Sequence, residues 1–134
     1  MIRNESEIFE FDVDDVVAEF DGIEQTLRVL AEYDESDFTN LYVTDDVLEE
    51  FGGKRPFLSE NERVEAFLRT DLLERDTYSA IVPRAGRAEL FVTKTENQVF
   101  VRVFDGDRAL FASVDNHGSI DAITDILRTA IDAT

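Results

Sequence analysis

The sequence predicts an α+β fold in which helices pack against an antiparallel β-meander. Residues 86–131 contain three apolar runs separated by the compact turns 95–97 and 105–107, and a stretch with helical apolar spacing follows them. Amphipathic helical patterns also precede this unit. With 134 residues, 43% of them hydrophobic, the chain is expected to form one domain, residues 1–134, that buries a core without disulfides; it has no cysteine.

The N-terminal third is predicted to be an arm followed by a helix. Residues 1–12 alternate weakly between apolar and polar side chains and are expected to be a flexible or edge-strand arm. From 13 to 33, apolar residues recur at i, i+3, i+4 and i+7, and Asp12 is available as the N-cap. This pattern predicts one amphipathic helix that continues through Gly22.

The middle of the chain is predicted to hold one strand and two helices. Residues 38–43 are β-prone, and a short helix is predicted from Thr44 to Phe51 before two glycines. Residues 53–57 are predicted to be a loop. The sequence Ser-Glu-Asn-Glu at 59–62 has the form of a capping box, which predicts that a helix starts there and runs to about Arg75.

The C-terminal part is predicted to be a four-strand meander and a helix. Pro83 closes a strand predicted at 78–82, and a turn at 84–87 leads into the three further strands. The strand at 99–104 carries apolar residues on both faces and is expected to be an inner strand. Asp105-Gly106 is the strongest hairpin signal, and Ser119 is the predicted N-cap of the closing helix.

The formal net charge of −18 comes from 31 acidic and 13 basic residues, of which 11 are arginine. This composition resembles that of proteins from extremely halophilic archaea. Acidic residues occur along every segment, which favours adaptation to salt over a single docking patch. We therefore expect the fold to need high potassium or sodium salt. No apolar stretch approaches the roughly 20 residues of a membrane span, and the first ten residues lack the basic flank of a signal peptide, so a cytoplasmic location is expected.

Residue patterns predict no catalytic, cofactor or metal site. His117 lies in a predicted turn, and Asp105 and Asp107 are explained by the hairpin rather than by a calcium loop. No phosphate-binding glycine motif is present. The predicted anion or partner contacts are four basic residues in two loops: Lys54, Arg55, Arg84 and Arg87.

Two other function classes stay open. In a winged-helix DNA-binding regulator, residues 60–75 would form the recognition helix and the turn at 84–87 the wing, but five acidic residues of that helix would face phosphates. Convergence of Arg84, Arg87, Lys94, Arg102 and Arg108 on one uncovered surface would favour this class. A carboxylate- or metal-dependent enzyme is the third class, and a pocket with three converging carboxylates would favour it.

Residues 88–131 resemble the second half of roadblock (dynein light-chain) domains, a profilin-like α/β sandwich in which a three-strand meander leads into a final helix. The corresponding features are the strands at 90–92, 99–103 and 110–114, the turn with Asn116 and Gly118, and the helix after Ser119. The first half of such domains has one helix, a two-strand hairpin and one long helix, whereas the patterns above predict one strand and two helices after the opening helix.

The resemblance implies a non-catalytic role. Roadblock domains form homodimers, by extending the sheet or by pairing helices, and act as platforms or regulators for small GTPases. We therefore expect a homodimeric protein-interaction or regulatory module without a cofactor, whose partner is itself or another protein rather than nucleic acid or a membrane.

Overall fold

The computed structural model describes residues 1–23, 25–116 and 119–133. In this part of the chain a six-stranded antiparallel sheet carries helices on both faces, which confirms the predicted α+β class. The elements in chain order are β1 (Ile2–Arg3), α1 (Val13–Phe20), β2 (Leu27–Tyr33), β3 (Phe38–Val43), α2 (Asp45–Glu50), α3 (Lys54–Ile81), β4 (Leu90–Lys94), β5 (Gln98–Asp105), β6 (Arg108–Asp115) and α4 (Ile120–Asp132).

The strand order in the sheet is β1-β3-β2-β6-β5-β4, and every neighbouring pair is antiparallel. The hairpin β2–β3 and the meander β4–β5–β6 are joined where β2 pairs with β6. Gly106 turns β5 into β6 with a φ of 60°, a conformation that glycine adopts without strain. No helix among the described residues is both long and apolar enough to cross a membrane.

The main core lies between one face of the sheet and helices α1 and α4. Both helices have the predicted N-caps: the Asp12 side chain accepts a hydrogen bond from the Asp15 N–H, and Ser119 accepts one from Ala122. Each helix presents an apolar face to the sheet. The buried residues of this layer include Val13, Val16 and Phe20 of α1, Ile123, Leu127 and Ala130 of α4, and Leu30, Val99, Val101, Leu110 and Val114 of the sheet.

The opposite face of the sheet is covered by α3 and α2. Helix α3 has 28 residues, yet only Phe57, Leu68, Asp71 and Arg75 are buried. A second, smaller cluster of the sheet packs beneath it, with Tyr33, Phe104 and Phe111 as its largest buried members. The short helix predicted from Thr44 is α2, for which Thr44 is the N-cap; it closes the end of this layer next to β1 and β3.

The helix predicted over 13–33 is wrong in its second half. Helix α1 ends at Phe20, and residues 27–33 form strand β2 between β3 and β6. Because β2 is an inner strand, both of its faces are buried and apolar residues occupy both. Apolar residues on both faces give a spacing that also fits a helix, which is why periodicity misassigned the segment.

Helix α3 is longer at both ends than predicted. The predicted loop at 53–57 is its first turn, where Pro56 is tolerated because the N–H groups of a first turn have no partner within the helix. Ser59 is not a cap: it lies inside the helix, and its hydroxyl donates to the Pro56 carbonyl. The strand predicted at 78–82 is the end of the helix, which continues to Ile81.

The N-terminal arm is held by a buried carboxylate. Residues 2–3 pair with β3 at the edge of the sheet, and the following segment crosses the α1 side of β2. There the fully buried Glu32 accepts hydrogen bonds from the Ser6 hydroxyl and from the Glu7 and Ile8 N–H groups, at 2.5, 3.0 and 2.6 Å. Arg108, at the start of β6, also contacts the arm: its guanidinium carbon lies over the ring of Phe9, 4.5 Å from the ring centre.

The substitution Glu32→Leu should release this arm. Leucine has a similar size but no acceptor, so the Glu7 and Ile8 N–H groups lose their partner, and a buried polar group without a partner costs about 1–3 kcal/mol. We expect a loss of that size in the free energy of unfolding, together with faster hydrogen exchange at residues 6–8. The exposed Glu35→Leu is the matched control, and an equal effect of both variants would contradict the role of Glu32.

Candidate interaction surface

A buried ion pair fixes α3 to the sheet. Asp71 of α3 and Arg102 of β5 are only 4% and 8% exposed, and the Arg102 Nε donates to Asp71 Oδ2 at 2.8 Å. The Arg102 Nη1 also donates to the Thr93 hydroxyl and the Phe100 carbonyl, at 2.9 and 3.1 Å. Because the guanidinium donates hydrogen bonds to residues of β4, β5 and α3, it determines where the middle of α3 lies over the sheet.

Tyr33 and Arg75 extend this attachment. The Tyr33 hydroxyl donates to Asp71 over 3.4 Å, and burial, reinforced by the charge of Asp71, raises the pKa of that hydroxyl above its ordinary value. One turn further along α3, Arg75 stacks over Phe104 and donates to the Gly106 carbonyl. Polar contacts therefore hold much of the buried side of α3.

An open groove runs between α3 and the β4 edge of the sheet. Its volume is about 670 Å³. Phe67, which is 69% exposed, and Val64 form one wall from α3, and Phe100 lies on the sheet. We call this feature the α3 groove; its lining is Phe51, Glu60, Arg63, Val64, Phe67, Leu68, Thr93, Thr95, Phe100, Arg102 and Phe111.

Exposed apolar side chains concentrate around this groove and along α3. Among the described residues, twelve large apolar side chains are exposed, and nine of them lie between positions 58 and 92. Leu90 and Val92 of β4 lie on the α4 side of the sheet, with their register partners Val103 and Val101. The outer edge of β4 pairs with no other strand in the described part of the chain. A regular edge strand without a proline or a bulge can accept a further strand.

The segment from Lys54 to Arg102, which includes α3 and β4, has almost no net charge. Nine of the 13 basic residues but only eight of the 31 acidic residues lie between Lys54 and Arg102, which gives that segment +1 and the remainder of the chain −19. Acidic residues occur in this segment as in the others, but here basic residues balance them. The segment that holds most of the exposed large apolar side chains is therefore also nearly uncharged.

The four predicted contact residues do not form one site. Lys54 and Arg55 lie in the first turn of α3, whereas Arg84 and Arg87 follow its last turn, roughly 40 Å away at 1.5 Å per residue. Arg87 is paired with Asp76 and Asp107, at 2.6 and 2.9 Å. In the described residues Lys54, Arg55 and Arg84 have no ion pair, so their role as anion or partner contacts stays a prediction.

Other basic residues that bear on nucleic-acid binding are also dispersed. Arg102 is buried against Asp71, and Arg108 pairs with Asp105 and stacks over Phe9 on the opposite side of the sheet. This arrangement does not provide the converging basic surface that a winged-helix regulator would use.

The two aspartates of the predicted hairpin turn both contact arginine side chains. Asp105 and Asp107 accept hydrogen bonds from Arg108 and Arg87, and no three metal-binding side chains group together in the residues that the structure describes. His117 and Gly118 lie outside the described residues.

A second concave site adjoins the α3 groove. It lies under α2 and the first half of α3, has a volume of about 450 Å³, and we call it the α2–α3 cavity. It shares five residues with the groove: Phe51, Glu60, Val64, Phe100 and Phe111. Its polar lining is Arg28, Asn40, Glu50, Glu60, Asn61, Gln98 and Ser113.

Apolar spacing places Val64, Phe67, Leu68 and Leu72 on one face of a helix. Of these, the structure buries Leu68 and exposes Val64 and Phe67. Residues three and four apart on a helix share a face, but the pattern does not say whether a partner within the chain covers that face. The near-zero net charge between Lys54 and Arg102 is a sequence signal that could have distinguished this segment from the acidic remainder of the chain.

The family comparison covers nearly the whole fold. Residues 13–133 match the model of a domain of unknown function, DUF7522, and the chain belongs to this family. The match begins at the first residue of α1 and ends just after α4. The comparison with curated proteins finds no match.

The substitution Asp71→Asn should loosen α3. Removing one partner of a buried ion pair leaves the other charge uncompensated, which costs about 3–5 kcal/mol, and denaturation in molar KCl should measure such a loss. Asp76→Asn is the matched control, because Asp76 also lies on α3 and pairs with an arginine but is exposed; its loss should stay below about 1 kcal/mol. A double variant Asp71→Leu/Arg102→Met should recover part of the stability, and a small effect of Asp71→Asn would contradict the anchoring role.

Proposed function

We propose that this protein is a non-catalytic interaction module that pairs with a second copy of itself through α3 and the edge of β4. The observation that carries the proposal is the apolar flank of α3, with Phe67 exposed beside an open groove. Contiguous exposed apolar surface beside a groove is typical of protein contact sites. The unpaired edge of β4 lies next to this flank and supplies main-chain donors and acceptors for a second strand.

Electrostatics favours a second copy that presents the same face. Each chain carries a formal charge of −18, so most orientations bring acidic surfaces together. The segment from Lys54 to Arg102 is the exception, with a formal charge of +1. A two-fold symmetric contact uses the same patch on both copies, and here it would join two nearly neutral, apolar patches.

The element order also supports a role like that of roadblock domains. Leaving aside the short β1 and α2, the chain has one helix, a two-strand hairpin, a long helix, a three-strand meander and a final helix. This is the order that the resemblance implies. We extend the proposal to regulation of a protein partner such as a small GTPase, in a salt-rich cytoplasm.

The two alternatives gain no specific support from the site. The segment proposed as a recognition helix, 60–75, lies within α3, and its Asp71 and Arg75 face the sheet. A carboxylate- or metal-dependent enzyme would need converging carboxylates. Four carboxylates line a pocket between α1 and α4, Asp12, Asp15, Glu19 and Asp125, but among the described residues no three metal-binding side chains come close enough to hold an ion. Self-association is therefore the function to test first.

The substitution Phe67→Glu should prevent self-association. It places a charge in the apolar contact, and losing a central aromatic anchor weakens an interface by more than about tenfold. Light scattering coupled to size exclusion in molar KCl should show a dimer for the wild type and a monomer for the variant. Ile120→Glu is the matched control: it adds the same charge at an exposed apolar residue of α4, away from α3 and the groove.

A monomeric wild type would contradict the proposed function. A dimer that persists in the Phe67→Glu variant would also contradict it, since the contact would then lie elsewhere on the chain.

Low salt should loosen the fold before it affects any particular contact. The −19 carried outside the neutral segment repels itself, and this repulsion grows as the screening length increases from about 3 Å at 1 M to 10 Å at 0.1 M. We expect circular dichroism to report loss of structure as KCl is lowered below molar concentration. Unchanged spectra across the series would argue against salt adaptation.

A further inference from the structure

Helix α3 carries an uncharged, exposed stripe along one side. The helix has 11 charged residues among its 28, yet none of them lies at five exposed positions of this side. We call these positions the outer stripe: Ala66, Thr70, Leu73, Thr77 and Ala80. At its centre, Leu73 is 77% exposed, the largest exposed fraction of any large apolar side chain among the described residues.

The outer stripe lies on the side of α3 that is opposite the anchored one. Two positions along an α-helix are separated by about 200° around its axis. Leu73 is two positions from both Asp71 and Arg75, the two charged residues that α3 buries. Because hydrogen bonds from these residues to the sheet fix the rotation of the helix, the stripe faces solvent, whereas Phe67 lines the α3 groove. The stripe is therefore a surface distinct from the proposed contact.

The spacing of the stripe is that of a contact between two helices. Its residues follow one another at intervals of four, three, four and three, which is the a/d spacing of a coiled coil. The residues on either side of Leu73 are alanine and threonine, which are small enough to let a second helix approach closely. The Thr70 hydroxyl already donates to the Phe67 carbonyl at 2.6 Å, so that burying it leaves no unpaired donor.

The stripe has the same order of residue types in both directions: Ala, Thr, Leu, Thr, Ala. A two-fold axis at Leu73 would place a second α3 antiparallel to the first, with the two leucines at the axis. Ala66 then meets Ala80 of the other copy, and Thr70 meets its Thr77. Since this symmetry fits like residues together along the whole stripe, it identifies a second copy of the chain as the partner.

The charges beside the stripe agree with the antiparallel order. Arg69 of each copy comes next to Asp76 of the other, which gives two pairs of opposite charge at the edge of the contact. Glu74, the neighbour of Leu73, comes near Glu74 of the other copy and forms the one pair of like charge. At about 1 M salt the screening length is near 3 Å, so this repulsion is weak between carboxylates that stay in solvent.

We infer that the outer stripe pairs, in antiparallel orientation, with the outer stripe of another copy. A contact between two single helices buries less than the roughly 1,200 Å² of a standard interface, so it is weak and forms only at high protein concentration. It is separate from the proposed contact through the α3 groove and β4. A protein that makes both contacts assembles from dimers into tetramers as its concentration rises.

Sedimentation of the full chain in molar KCl, from micromolar to millimolar protein, tests this contact. The mean mass of the wild type should rise toward twice its starting value. Leu73→Glu should keep its starting mass, because it places two charges at the axis. Leu58→Glu is the matched control and should behave as the wild type, since Leu58 is an exposed apolar residue of α3 that lies about two turns before the stripe. A constant mass of the wild type, or equal behaviour of the two variants, would overturn the inference.

Disulfide cross-linking tests the orientation in a chain that has no cysteine of its own. A mixture of the single variants Thr70→Cys and Thr77→Cys should oxidise to a mixed dimer, because the antiparallel contact brings these two positions together. Thr70→Cys alone should not cross-link, since its two copies lie about 10 Å apart along the helix axis, beyond the reach of a disulfide. Efficient cross-linking of Thr70→Cys alone would overturn the antiparallel arrangement.

The sedimentation series also separates this inference from the proposed function. If the wild type is a dimer at micromolar concentration and its mass does not rise, the outer-stripe contact fails and the proposed function stands. If the wild type is a monomer at micromolar concentration and its mass rises unless Leu73 is replaced by glutamate, the outer-stripe contact stands and the proposed function fails.

Discussion

The buried ion pair between Asp71 and Arg102 is the contact on which the α3 side of the molecule depends. The other side of the sheet is covered by α1 and α4 through a continuous apolar core, which needs no polar contacts to define it. Helix α3 buries four of its 28 residues, and two of those four are charged. Its position is therefore set largely by directional hydrogen bonds at the guanidinium of Arg102, because apolar contacts alone would let a helix with so little buried surface shift over the sheet. This explains how Phe67 can stand exposed at a fixed place instead of collapsing into the groove.

Glu32 and Asp71 show the same principle on the two faces of the sheet. Each is a buried carboxylate whose oxygens accept hydrogen bonds from a segment distant in sequence: the N-terminal arm for Glu32, and β5 for Asp71. In a chain with 31 acidic residues, most carboxylates lie in solvent and contribute little to any single contact. Each of these two carboxylates offsets its desolvation with several hydrogen bonds, and removing either one leaves its donors without a partner.

The sequence predicted the elements whose apolar pattern had a single interpretation. Helix α4 has one apolar stripe and a serine cap, and β5–β6 has an Asp-Gly turn, so local signals and tertiary packing agree. Strand β2 was misassigned because burial on both faces removes the alternation that identifies a strand. Tyr78 and Ile81 are β-prone yet helical, since propensity is weak beside the continuity of a long helix. The groove and the cavity could not be predicted at all, because both depend on where α3 crosses the sheet, which Asp71 and Arg102 determine over 31 positions of sequence.

The neutral segment can be understood from the range of electrostatic repulsion in salt. At about 1 M salt the screening length is near 3 Å, so two acidic surfaces repel strongly only when they almost touch. An acidic protein in such a solvent can carry −19 on the rest of its chain and still associate, provided that the contact surface itself is nearly uncharged. At low salt the same charge would act across the whole molecule, and a neutral patch would not be enough. The close overlap between the uncharged segment, 54–102, and the exposed apolar residues, 58–92, is what this argument requires of a contact surface. In the proposed contact, arginine and lysine balance the acidic residues of the segment 54–102.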